Sequence, residues 1–367
     1  MGKINVTRSS MPSLEEYVEE LRPVWESRWL SNRGGASKKF EDNLKDYLEV
    51  ENVYCFANGH LALEVAIESL DFPEDSEVIT TPYTHVSTTH SIVRNNLVPV
   101  FVDVEENTYT INVELIEQSI TDKTVAIVAT HVYGFPCDVE KIEQIANNHN
   151  LRVIYDAAHA FGVTYKGIGI GNYGDLAMFS THATKVFHTI EGGIIAYKNE
   201  DSEEVRRMRK MVNFGFSSPE DIDYIGTNAR MNEFEAVMGI VNLRHIDDEI
   251  AKRKVVAERY WQRLEGCKGI KLIKPSKETK WNYAYFPVIF DGFKINRNQV
   301  QEKLAKNEIY ARKYFYPLTN EARCYADMYG DANVPTAKHA AESVLTLPMY
   351  ADLEISDVDR ICNIILD

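Results

Sequence analysis

What this chain has little of limits its work before any motif is read. It has five cysteines in 367 residues: Cys55, Cys137, Cys267, Cys324 and Cys362. They are odd in number, scattered and form no CxxC pair, which predicts a reduced, cytoplasmic setting and no disulfide framework. No apolar run approaches the roughly 18 residues that a membrane helix needs. The opening stretch MGKINVTRSSMPSLEEY has no apolar signal core, and Val6 stands where a myristoylation signal has Ser or Thr. Positive charge is also short. Lys and Arg number 40 against 55 Asp and Glu, a net charge of -15. That argues against nucleic acid held over a broad basic face, which needs clustered cations. It leaves room for a small phosphorylated ligand, which needs only a local site. The ten histidines show no HExxH and no i, i+4 pair, so no metal site is expected.

What is present is ordinary for a globular protein: 44% hydrophobic and 26% charged residues, in a chain long enough for two domains. Residues 13 to 50 read as helices interrupted at Gly34-Gly35. From Asn52 to about Ser202, short apolar runs alternate with amphipathic stretches. The runs are Val53-Phe56, Glu77-Thr80, Val98-Val102, Val125-Val128, Arg152-Tyr155, Leu176-Phe179 and Ile194-Tyr197; helical patterns include Leu61-Leu70 and Val139-Asn148. That rhythm predicts an α/β fold, a mostly parallel sheet covered by helices. One long helix is expected through RMNEFEAVMGIVNLRHIDDEIAKRKVVAERYWQRLEG, ending at Gly266. The last hundred residues read as a smaller α+β domain with a strand at Tyr283-Phe290 and a loop at FYPLT. The expected division is 1–245, a large ligand-binding domain, and 246–367.

In such sheets ligands gather at the carboxyl ends of strands. Three strand ends carry chemistry. After Val53-Phe56, the turn Asn58-Gly59-His60 opens a helix, whose free amides and dipole suit an anion; the plain alternative is an ordinary turn. After Arg152-Tyr155 comes DAAHAFG. Asp156 there is desolvated unless it meets a cation, or else it caps a turn. After Leu176-Phe179 comes STHATK. Lys185 has no charged neighbour between Leu176 and Glu191, unlike a surface lysine on a helix face. An anion turn, an acidic strand end and an isolated lysine, in that order, suit pyridoxal 5′-phosphate. The lysine forms a Schiff base with its aldehyde, and the carboxylate keeps its ring nitrogen protonated. Gly169-x-Gly171-x-x-Gly174 matches a dinucleotide fingerprint in letters only, because a strand follows it where a helix is required.

SxHATKxxxxxEGG, DAAHAFG and NARMNEFEAVMGIVNL closely resemble the sugar-nucleotide aminotransferases of the DegT/DnrJ group. The likeness runs from Leu30 to the C-terminus. It implies the fold-type-I architecture of pyridoxal-phosphate transferases and a homodimer. It also implies roles. Lys185 bonds the cofactor, Asp156 faces the ring nitrogen and His159 sits beside the 3-hydroxyl. Ser180 and the amides at Gly59, His60 and Leu61 hold the phosphate. His85 stacks on the ring, and Asn228 reaches the phosphate of the neighbouring subunit's cofactor. Arg230 and Tyr316 are implied substrate contacts. Several positions depart from the family: Asn58 and His60 where serine and threonine are usual, His85 where Phe or Trp stacks, His159 where glutamine is usual, and Thr319 where histidine is common. The HATK form resembles enzymes that aminate C4 of a dTDP- or UDP-linked 4-keto-6-deoxysugar, with glutamate as the usual donor, in deoxysugar supply for O-antigen or lipopolysaccharide. A sugar dehydratase on the same fold carries histidine at the lysine position. A non-catalytic cofactor-binding regulator is the other alternative.

Overall fold

The computed structural model describes residues 2–367. Its centre is a seven-stranded sheet. The strands are β1 Asn52–Phe56, β2 Glu77–Thr80, β3 Val98–Phe101, β4 Thr124–Thr130, β5 Arg152–Asp156, β6 Leu176–Ser180 and β7 Gly193–Tyr197. They lie in the order β1-β7-β6-β5-β4-β2-β3. Pairing is parallel from β3 through β6, while β7 runs antiparallel to both β6 and β1. Helices cover both faces, which is why β4 and β5 read as continuous apolar runs rather than alternating ones. The register sets Gly193 opposite both Phe56 and Ser180, and Asp156 opposite Thr130 and Met178. The ends of β1, β5 and β6 and the start of β7 thus share one edge.

The longer helices are α1 Leu14–Ser27, α2 Gly35–Leu48, α3 Gly59–Glu68, α4 Val86–Arg94, α5 Val139–His149, α6 Glu203–Met211, α7 Glu233–Leu243, α8 Ile246–Leu264, α9 Arg297–Ala305, α10 Pro335–Ser343 and α11 Ile355–Leu366. Local chemistry sets their starts: Ser13 with Glu16 and Asn232 with Glu235 form capping boxes, and Asp138 accepts from the Lys141 amide. The single long helix expected over residues 230–266 is two helices, α7 and α8. Arg244 and His245 donate to Val241 and Asn242, so the ladder tightens and stops. Glu16 grips His245 at 3.0 Å, and Asp247, Asp248 and Glu249 then suit the positive end of a new helix. A second sheet, β8 Ile270–Leu272, β9 Phe286–Phe290 and β10 Val344–Leu347, is antiparallel. The strand expected from Tyr283 starts three residues later because Tyr283 sits at φ 54°, outside the extended region. This sheet packs on Val256, Tyr260 and Leu264 of α8 and on Ile361 and Ile365 of α11 in a separate core that also buries Ile4. No helix among the described residues is long and apolar enough to cross a membrane.

Candidate active site

At the end of β1 the chain turns into α3. Asn58 Oδ1 accepts the Leu61 amide at 2.8 Å. The Leu61 N–H, expected on the anion, is therefore committed to the cap, and the Gly59 and His60 amides remain at the open end. The turn is pressed against its neighbours. A Cβ on Gly59 would lie 2.8 Å from Ser180 Cβ and 3.1 Å from its Oγ, and one on Gly193 would lie 2.5 Å from the Asn58 carbonyl oxygen. Glycine at both positions lets the serine hydroxyl and the helix start face one small cradle. The His60 ring turns sideways: Nδ1 lies 2.8 Å from Ser87 Oγ and Nε2 3.2 Å from Glu64.

Asp156, at the tip of β5, is buried. Thr88 Oγ1 donates to Oδ2 at 2.7 Å, and the Ala158 amide donates to Oδ1 at 3.1 Å. It is in none of the chain's ion pairs to a basic side chain among the described residues. A buried carboxylate in that state is costly unless a cation from elsewhere completes it. His159 is buried beside it in sequence, and its Nδ1 accepts the Tyr133 amide at 3.1 Å. Its proton is then on Nε2. Burial, with Lys185 nearby, holds its pKa well below the ordinary histidine value, so it stays neutral. The ring stacks on Phe315 at 5.7 Å and meets Tyr285 at 4.6 Å.

His85 caps α4 with its own ring, Nδ1 accepting the Ser87 amide at 3.2 Å. Its pKa is lowered by desolvation and by the adjacent Lys185. One side of the residue remains open to solvent, as a ring that stacks on a ligand must be. Lys185 follows β6 in a loop tied at its base. The Thr181 and Thr189 hydroxyls meet at 2.6 Å, and the Thr181 amide donates to Gly192. Lys185 Nζ lies 3.5 Å from Tyr285 OH.

Asp156, His159, His85, Lys185, Ser180 and the Gly59-His60 turn thus gather at one edge of the sheet. Asn228 and Arg230 stand at the outer side. The Arg230 guanidinium donates to Asn228 Oδ1 at 2.8 Å and to Asn213 Oδ1 at 2.7 Å, and Asn228 is exposed. Tyr316 is also exposed, with Arg297 5.0 Å and Lys313 5.6 Å from its ring centre. Thr88 and Tyr285 were missed by sequence reasoning. Thr88 is hinted at by its place three residues after His85. Tyr285, a hundred residues from Lys185, carries no sequence signal.

The cradle, the uncompensated carboxylate and the lysine fit pyridoxal 5′-phosphate. Comparison with known proteins agrees. The model of the DegT/DnrJ/EryC1/StrS aminotransferase family matches residues 13–366. The chain is 39% identical to the dTDP-4-amino-4,6-dideoxy-D-glucose transaminase of Escherichia coli, over 99% of this chain and 98% of that protein. Among solved structures, DesI in the presence of its TDP-sugar product superposes with a TM-score of 0.93 at 28% identity, over 99% of this chain and 92% of that one. DesV of S. venezuelae in complex with a ketimine intermediate gives 0.87 at 26%, over 98% of each chain. The chain belongs to the DegT/DnrJ/EryC1/StrS aminotransferase family, and its cofactor is pyridoxal 5′-phosphate.

Proposed function

We propose that this aminotransferase moves an amine from L-glutamate to C4 of dTDP-4-keto-6-deoxyglucose in the cytoplasm. The observation that carries the reading is the full-length 39% identity to the E. coli transaminase named for that amino sugar. Bound pyridoxal phosphate supplies the carbonyl that takes the donor's nitrogen and a ring that accepts electrons. The chain supplies the rest. In this reading the Gly59 and His60 amides and Ser180 hold the phosphate, with Leu61 behind them in the first turn. Asp156 keeps a proton on the ring nitrogen, and the neutral His159 offers its Nε2–H to the 3-hydroxyl. His85 lies against the ring. The Lys185 amine would take the donor's α-proton and deliver it to the cofactor carbon that had been the carbonyl, with Tyr285 OH within reach of the same nitrogen. The presence of Lys185 supports transamination over the dehydratase alternative, which has histidine there. The Lys185, Asp156 and Ser180 set supports an enzyme over a regulator.

The same reading makes the protein a homodimer with shared sites, Asn228 reaching the partner's phosphate and Arg230 and Tyr316 touching substrate. Support comes from large apolar side chains left exposed around that loop: Phe214, Phe216, Ile222 and Ile225, with Trp29 and Leu30 nearby in the segment before α2. A division at 245/246 is supported by the restart of the helix at Ile246. To test the substrate, the enzyme is incubated with glutamate and a panel of keto-sugar nucleotides. Stoichiometric 2-oxoglutarate and a C4 amine on the dTDP sugar by NMR are expected. Amination at C3, or only of a UDP or GDP sugar, would overturn the assignment.

A further inference from the structure

The amino-terminal segment begins on the C-terminal core and ends on the lysine loop. Ile4 and Asn5 pair in parallel with Ile309 and Tyr310, and the Met349 amide donates to the Val6 carbonyl at 2.9 Å. The chain then crosses to the loop that bears Lys185. Thr7 Oγ1 lies 3.5 Å from the Thr184 carbonyl, and the Ser9 hydroxyl donates to the Ala183 carbonyl at 2.6 Å. Past the lysine, His188 Nε2–H donates to the Ser10 carbonyl at 2.6 Å. The direction of that bond is fixed, because His188 Nδ1 accepts the Ile190 amide at 3.3 Å and so carries no proton. Two more bonds anchor the junction to the helices behind it: Ser10 Oγ donates to Glu249 of α8, and Asn242 of α7 donates to the His188 carbonyl at 2.8 Å.

The contacts therefore fall immediately before Lys185, on residues 183 and 184, and again after it, on residue 188. Both limbs of the lysine loop are held by three residues of one short segment, Thr7, Ser9 and Ser10. A four-carbon side chain sweeps a wide arc unless its backbone is fixed, and proton transfer demands a narrow one. We infer that Thr7–Ser10 is a positioning strap for Lys185, with Ser9 as its chief hydroxyl, and that it ties the lysine's backbone to the C-terminal core. This rests on the reading of Lys185 as the reactive amine. The strap holds the loop through the Ala183 and Thr184 carbonyls and the His188 ring, does not touch the Lys185 side chain, and is not itself catalytic.

The test uses cofactor-loaded enzyme, wild type against Ser9→Ala, with Ser9→Thr retaining the hydroxyl. Amide hydrogen exchange is followed in peptides spanning 181–189 and in peptides of the central sheet. Loss of one neutral hydrogen bond should speed exchange in the loop about 3- to 10-fold and leave the sheet unchanged. The kcat should fall by a comparable factor with KM values for both substrates little altered, and Ser9→Thr should restore both. Unchanged loop exchange in Ser9→Ala would overturn the strap. So would faster loop exchange with wild-type kcat, which would make the segment a tether without a positioning role. Borohydride mapping of the wild type judges the lysine reading separately: failure to label Lys185 there would sink that reading, whatever the exchange rates show.

Discussion

In the proposed reading Lys185 is the residue on which the chemistry turns, and it stands among Ser, Thr and His. Its amine lies 3.5 Å from the Tyr285 hydroxyl, and it is in none of the ion pairs among the described residues. Asp156 is the complementary case, a buried carboxylate with two hydrogen bonds and no basic partner among the described residues. Asp156→Ala should leave the fold intact and slow turnover by roughly two or more orders of magnitude, the scale of a typical catalytic group. An unchanged rate would reduce it to a turn cap. A different buried group predicts acid sensitivity. His131 stacks on Tyr155 at 4.5 Å and accepts the Cys137 amide at 3.0 Å, and burial lowers its pKa to about 3. When unfolded it takes up a proton near its ordinary value of about 6.5; when folded it does not until the pH is far lower. The unfolded chain thus binds more protons between those limits, and stability falls as pH drops through that window, by about 1.4 kcal/mol per pH unit for this group. Urea midpoints at pH 7.5 and pH 5 should therefore differ less in His131→Asn, which keeps an acceptor for Cys137, than in wild type. Equal differences would contradict the account.

At the scale of elements, the lesson is which signals were local. The seven strands of the large sheet were legible because each is a short apolar run between turn residues, and their ends shifted by no more than two residues. The helix expected at the Asn58-Gly59-His60 turn begins at Gly59, with Asn58 accepting the Leu61 amide as its cap. The break between α7 and α8 was not legible: apolar spacing continues across it, and the stop depends on Glu16 gripping His245 from a distant helix. The Asp156, Ser180 and Lys185 positions were readable from strand ends. The strap was not, because its bonds run from one end of the chain to its middle and mostly involve backbone carbonyls. The α3 turn carries its own prediction. Gly59→Ala puts a methyl 2.8 Å from Ser180 Cβ, so the cradle must open. Cofactor retained after dialysis, read from the visible band, should drop at least several-fold while thermal unfolding of the apoenzyme changes little. Full retention would remove the cradle from the phosphate site.

For the whole molecule, the question is whether one chain completes its own site. In the single chain Asn228 Oδ1 accepts from Arg230, which a local role explains as well as a shared one. Mixing separates them. Lys185→Ala and Asn228→Ala are prepared apart, each impaired, and their subunits reassorted. A cross-subunit Asn228 gives a mixed dimer with one intact site, and activity returns. An Asn228 that works within its own chain leaves every site damaged, and none returns. In the proposed reading the net charge of -15 leaves the attraction of an anionic substrate to local groups such as Arg230 rather than to the global field. All of this depends on Lys185 being the amine that engages the cofactor. The most direct measurement is borohydride reduction of the purified, cofactor-loaded protein followed by peptide mass mapping. The account predicts loss of the visible band and one pyridoxyl-phosphate mass on the peptide that contains Lys185. A label on any other lysine, or a reduced cofactor that washes away, would contradict it.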